Sequence, residues 1–598
     1  MRRSLRRSAV SAGCRAAVAL LLWVGTAAAG PLAQVRIRSL QAVYADAATA
    51  AAAAGRPERG EDLLGDLLGP FGLRDLSVLD GTRPLAAVLP LEGMLLQQRG
   101  VVVALPVTAA GPLLDALGGN FPSRGRDGEL EVFSDASGPV LYAQERDGYV
   151  VAGQTRQLVA AFDLAGLRTP LDEPPGSVVA DLDLEPLAPL LLAGLVGARE
   201  QLRQQVLQSL SQPQQGPPGD PPVDAEALAG MLDLYLDAVQ SVLMDLGRVQ
   251  LGVEIRGEHL FWHNRVVVRP NTATAEFVAH QGGGLPPLSR VVSPGPISAA
   301  GQVRMTLLAE AALAGFLDRY FALAGPLLAG LEQGAEPAAA AQGAGESATP
   351  LAELGELVTQ GLGCFTGEAA AGLGFSALEG ISVAEAVGTV DTPRCRDLTR
   401  RSLALLRSFS LARGGVAPVI TGGEETIHGI AAERFAVDLG AAGADLGAEE
   451  QSLLRLLYGG PTLTSYVAAT GPVTYYALGS TAQGQLQAML DAAGDPGRKG
   501  IDAGTFAPLL PGPGFFVSAD VPKLLAVGLD LLPEDDPGRA RWDHVAQVFA
   551  GAGVAGRAVA GLRFDPQGAT LQIAVPLRAL EASRPAQPLP AREAAPKP

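Results

Sequence analysis

The sequence predicts an α+β fold made of two diverged copies of an antiparallel sheet packed with helices. Three observations carry this. First, a helical stripe is followed at once by an alternating hairpin, over 224–246 into Val249 to Arg269 and again over Trp542 to Ala550 into Gly561 to Leu577. Second, three such local patterns recur in the same order in both halves. Third, consecutive hairpins are mixed with helices, whereas a doubly wound parallel sheet needs regular strand–helix alternation.

Taken in chain order, the first element is a segment for export. Arg2, Arg3, Arg6, Arg7 and Arg15 make a basic start, Ala16 to Ala29 is apolar, and Ala27-Ala28-Ala29 supplies a small-residue cleavage pattern. Residues 1–29 therefore read as a signal peptide. The stretch is shorter than the about 20 apolar residues that span a bilayer, and no later uninterrupted apolar run reaches that length. The mature chain is thus expected to be soluble, without a transmembrane span, in the periplasm or outside the cell.

Residues 30–280 form the first copy. Tyr149-Val150-Val151-Ala152-Gly153 leads into a helix, and Pro175 to Asp181 is a strand leading into the Leu-rich helix of Leu187 to Leu207. Leu228, Leu232, Tyr235, Val239, Val242 and Leu246 make one helical stripe, with Asp224 at its start and Gly247 past its end. Val249, Leu251, Val253 and Ile255 then alternate with Gln250, Gly252 and Glu254 as a half-buried strand, and Arg256-Gly257-Glu258 turns the chain back. Residues 281–298, rich in Gly and Pro, read as a linker, and 211–218 as a loop within the first copy.

Residues 299–582 form the second copy. Tyr475 to Gly479 matches Tyr149 to Gly153, and Pro513 to Asp520 matches Pro175 to Asp181. Leu307 to Leu331 is a second Leu-rich helix, 333–350 a flexible insertion, Asp565-Pro566-Gln567-Gly568 a turn, and 583–598 a disordered tail.

The 598 residues are 48% apolar and 18% charged, enough for a large core, and carry a net charge of −17. The first 30 residues hold five Arg and no acid, so without them the balance is 40 − 62 = −22. Such a surface repels phosphate backbones and excludes general nucleic-acid binding. Beyond Cys14 in the signal, Cys364 and Cys395 remain. In an oxidising compartment they are expected to form a disulfide, worth roughly 3–4 kcal/mol for a loop of this length, with two buried thiols as the alternative.

The run Asp80-Gly81-Thr82-Arg83-Pro84-Leu85, then Val101 to Thr108, then a hairpin ending in Gly148-Tyr149-Val150-Val151 resembles a family of large uncharacterised exported proteins of GC-rich environmental bacteria. The resemblance implies an extracytoplasmic α+β protein and transfers no site residue.

Motifs for chemistry are sparse. Gly551-Ala552-Gly553-Val554-Ala555-Gly556 has dinucleotide-fingerprint spacing, but a helix precedes it and a strand follows, the reverse of what phosphate binding needs. His259 and His263 lie on a strand, where four residues span about 13 Å, too far to share a metal; with Phe261 and Arg265 they are expected on a solvated face. Asp183 and Asp520 read as helix caps, and Asp181 as a weak acid–base candidate. Glu534 to Gly538 reads as a solvated acidic turn. No catalytic, metal or cofactor residue is expected, and no cofactor. The leading functional expectation is a non-enzymatic protein that binds another protein, an envelope component or an apolar ligand. The alternatives are a carrier of lipid-like molecules and a hydrolase whose His428 or His544 meets Asp and Ser only in space.

Overall fold

A computed structural model describes residues 31–53, 76–90, 100–168, 175–211, 224–332, 350–376, 379–412, 419–438 and 459–582, apart from 461, 496, 510–511, 513, 532–538 and 551–552. The signal segment, the 333–350 insertion up to its last residue, the 211–218 loop beyond Ser211, the acidic turn and the tail lie outside the described residues.

The first half begins with β1 (Pro31–Ile37), α1 (Leu40–Ala53), β2 (Leu85–Pro90), β3 (Val102–Pro106) and α2 (Ala110–Gly118). It continues with β4 (Ser123–Asp127), β5 (Leu130–Asp135), β6 (Gly138–Arg146), β7 (Tyr149–Gly153), α3 (Arg156–Ala161) and β8 (Val178–Asp183). The helix pair α4 (Ala188–Ser211) and α5 (Ala225–Asp245), the hairpin β9 (Leu246–Arg256) and β10 (His259–Val268), and α6 (Ala273–Ala279) complete it.

The second half opens with β11 (Ile297–Gln302), α7 (Leu307–Glu332), α8 (Pro350–Leu362), β12 (Phe365–Ser376) and β13 (Gly380–Thr389). Then come α9 (Thr392–Ala412), β14 (Val419–Ile427), β15 (Ile430–Asp438), β16 (Thr462–Thr470), β17 (Val473–Leu478) and α10 (Ala482–Gly494). It ends with β18 (Phe515–Asp520), α11 (Val521–Leu531), α12 (Arg539–Phe549), β19 (Arg557–Asp565) and β20 (Gly568–Pro576). The molecule is α+β, and all twenty strands among the described residues join one open antiparallel sheet.

Across the sheet the strands run β4-β5-β6-β7-β3-β2-β1-β8-β9-β10. From β10 they continue β20-β19-β18-β11-β12-β13-β17-β16-β15-β14. Each strand of the first half thus stands as far from the centre as the strand numbered ten higher in the second. At the central β10–β20 pair, His263 opposes Gln572, each four residues past the first residue of its strand.

Local chemistry explains much of this. The Asp224 carboxylate accepts from the Glu226 and Ala227 amides and starts α5. Asp183 accepts from Glu185 N at 3.0 Å, and Asp520 from Lys523 N at 3.3 Å, as caps. The Asp80-Gly81-Thr82-Arg83 run is a turn whose Arg83 lies 4.2 Å over the Tyr149 ring and donates to the Gly148 carbonyl. Gly148 has φ +75°, and a Cβ there would sit 2.6 Å from the same guanidinium.

Two expectations are corrected. His259 and His263 are buried, not solvated: His263 is 1% exposed. On the central strands the polar face is the covered one, with Gln34, Gln250, His263 and Gln572 buried. The apolar face is open at Val35, Val253, Trp262 and Val575. Cross-strand polar pairing makes this tolerable: Gln250 donates to Asp181, and His259 Nε2 meets the Arg557 carbonyl at 3.1 Å.

The apolar stripe of α5 is only partly its packed face: Leu228, Leu232 and Leu246 are half-buried and Tyr235 meets the Phe316 ring edge-on at 6.1 Å. Tyr235, Val239 and Val242 are exposed, whereas Ala227, Ala229 and Leu234 are buried. The helix uses small residues for close approach instead: at Gly230 a Cβ would stand 2.7 Å from Leu323 of α7. Arg199 of α4 bridges Asp233 and Asp237 at 2.7 Å each. Among the described residues α5 alone is long and apolar enough to cross a membrane, with 17% of its apolar window buried. Within the stretch expected as a linker, Leu288, Val291 and Val292 are buried, the latter two in the main core of the second half.

Candidate ligand-binding cavity

Alternation along β13 divides two environments. Ala384 and Ala386 point into the main core, where Tyr475, Ala477, Leu486 and Met489 pack between β17 and α10. Val383 and Glu385 point to the opposite face, under α8 and α9. There a cavity of about 650 Å³ opens, lined by Leu357, Val358 and Leu362 of α8, by Leu398, Thr399 and Ser402 of α9, and by residues of β13, β16 and β17.

Cys364 and Cys395 are joined on the wall of this cavity with Cα atoms 5.6 Å apart, within the usual disulfide range. The bond ties the end of α8 to the first turn of α9. Asp391 caps that turn by accepting from Arg394 N at 3.2 Å, and Thr392 Oγ1 donates to the Gly471 carbonyl at 2.6 Å. The roof is therefore held at one end by a covalent bond and hydrogen bonds.

The floor carries the polar groups. Glu385 opposes Tyr476 across β13 and β17, and Tyr476 OH lies 3.4 Å from Thr399 Oγ1. Burial pushes the Glu385 carboxyl above the ordinary glutamate range, with no other contribution. The Tyr476 phenol is raised too, mainly by burial, then by the nearby Glu385 charge against the Thr399 hydrogen bond.

Among the described residues the matching place in the first half is packed with apolar side chains. Counted from the turns that open β7 and β17, Ala152 stands where Tyr476 stands, and its partner Val103 stands where Glu385 stands. Leu105, Val150 and Ala152 pack there against Leu113, Leu114 and Leu117 of α2. The same count sets Tyr149 against Val473, two residues from the Tyr149–Tyr475 match that the sequence suggests.

The other sequence candidates stay apart from this cavity. His428, at φ 52° on the β14–β15 turn, has Nδ1 2.8 Å from Asp491 and Nε2 2.6 Å from the Gln487 amide. Both ring nitrogens are engaged in anchoring the hairpin to α10. His263 Nε2 lies 3.5 Å from Glu254 inside the central sheet. Asp181 is partly buried beside Arg248 and Gln250, and burial raises its pKa. Gly553–Gly556 forms a short 3-10 turn directly before β19. Among the described residues no group of three or more His, Cys, Asp or Glu is placed to hold a metal ion.

Glu385 and Tyr476 were missed by sequence reasoning. The available signal was a lone acid inside the apolar strand Val383-Ala384-Glu385-Ala386-Val387. Comparison of the chain with protein-family models, curated proteins and solved structures finds no match.

Proposed function

We propose that the protein is an exported, non-enzymatic binding protein that carries an apolar, lipid-like ligand in the cavity beneath α8 and α9. The carrying observation is the cavity itself: about 650 Å³ with a mostly apolar wall that Glu385, Tyr476, Thr399, Ser402 and Ser465 interrupt, the general character of a small-molecule site. We further propose that the chain is two diverged copies of one unit, one copy keeping a filled core and the other an open one. The mirrored strand order supports this reading. Export is supported by the basic, then apolar, N-terminus and by the paired cysteines.

Native purification from the envelope fraction, organic extraction and mass spectrometry test the proposal. An apolar small molecule near one equivalent per chain is expected, and its absence from Val467→Trp protein would place it in the cavity. Protein that extracts empty and shows no saturable site for apolar probes would end the carrier reading. A second reading, docking of a partner protein or envelope component, is favoured by the open apolar face at Val253 and Trp262, opposed across β9 and β10.

A further inference from the structure

We infer that the ligand is a cationic amphiphile, an alkyl chain ending in an ammonium group that pairs with the Glu385 carboxylate beside the Tyr476 ring. This rests on the binding reading above and adds the sign of the ligand's charge. Among the described residues Glu385 is the one charged residue lining the cavity. Glu385 is half-buried, and among the described residues no hydrogen bond or ion pair offsets that burial, so within the protein its ionised form has no partner. Such a group weakens a fold, and the matching place in the first half holds Val103 within an apolar core. The cost points to a ligand.

Two cations of α9 are committed elsewhere: Arg396 and Arg400 both pair with Glu433, Arg400 at 2.7 Å. Among the described residues no cation lines the cavity, so a counter-ion for Glu385 would arrive with the ligand. An alkyl carboxylate would meet like charge with no Lys or Arg among the described lining residues, and an alcohol would donate one hydrogen bond but bring no charge. An ammonium group satisfies it and can also lie against the Tyr476 face. The acidic net charge, −17 over the whole chain, concentrates cations near the surface and disfavours the approach of fatty anions.

The test uses the purified full chain loaded with N-phenyl-1-naphthylamine, a neutral apolar fluorophore, and displacement by decylammonium, decanol and decanoate below their micelle concentrations. Decylammonium is expected to displace at about tenfold lower concentration than decanol, the size of one charge-assisted contact, with decanoate weakest. Glu385→Gln should erase the gap between amine and alcohol, whatever its own affinity for the fluorophore. Equal potency of amine and alcohol in the wild type, or a gap that survives in Glu385→Gln, overturns the inference while leaving the apolar site standing. A fluorophore that finds no saturable site overturns both readings at once. If Glu385→Gln fails to fold, the wild-type ranking of the three ligands decides alone.

Discussion

Glu385 shows how one side chain can act against the fold that holds it. Its pKa is raised by burial, so the folded chain keeps its proton to a higher pH than the unfolded chain, which releases it near the ordinary glutamate value of about 4.3. Below that value both states are protonated and the group contributes nothing. As pH rises above it, the unfolded state ionises first, and Glu385 weakens the fold until the folded pKa is passed. Tyr476, the titratable group opposite, has its own pKa raised and stays neutral throughout this window. Urea midpoints of wild type and Glu385→Gln should therefore diverge between pH 4 and pH 8, with the variant gaining relative stability at the higher pH. Parallel curves would mean that the carboxyl is solvated.

At the scale of elements, the roof of the cavity depends on the Cys364–Cys395 bond. α8 and α9 are adjacent helices that leave a void between themselves and β13, β16 and β17, so aliphatic packing alone does not hold them to the sheet. The disulfide closes a loop of 31 residues, which corresponds to roughly 3–4 kcal/mol in the chain-entropy account. The Cys364→Ser/Cys395→Ser double variant is expected to lower unfolding free energy by that order and to weaken apolar-probe binding more than it disturbs far-ultraviolet circular dichroism. Non-reducing peptide mapping of native protein should link the two cysteines; alkylation of both as free thiols would remove this account of the roof. Elements with strong local signals, such as the Asp224-capped α5 and the Gly257 and Asp565–Gly568 turns, were legible in sequence because capping and turn chemistry act within a few residues. The packed face of α5 was not, because α7 approaches it at Gly230 and α4 at Asp233 and Asp237, leaving Val239 and Val242 of its large apolar stripe exposed while Tyr235 meets Phe316 of α7.

Over the whole molecule, the two halves meet through one ladder, from His259 opposite Pro576 to Val267 opposite Gly568, reinforced by α5 against α7. Phe261, fully buried on β10, packs with Val559 and Ala574 of the second half and lies under Arg256. Phe261→Ala is expected to cost about 3–5 kcal/mol and to lower the unfolding midpoints of near-ultraviolet signals from both halves together. A variant in which only the first half shifts would show that the ladder does not couple them.

By itself the sequence determined the α+β class, many of the hairpins and capped helices, and the acidic character of the chain, and it favoured a bond between the two late cysteines. These follow from short-range geometry, composition and count. Only the tertiary structure decided which face of each central strand is covered, because alternation reveals two faces and not which of them is enclosed. It also decided that Glu385 and Tyr476 share a cavity floor, since β13 and β17 become neighbours only when the long connection through β14 to β16 folds back. The same pairing register put Val103 and Ala152 in the corresponding filled core of the first half. Side chains far apart in the chain become a site only where strand pairing sets them opposite one another.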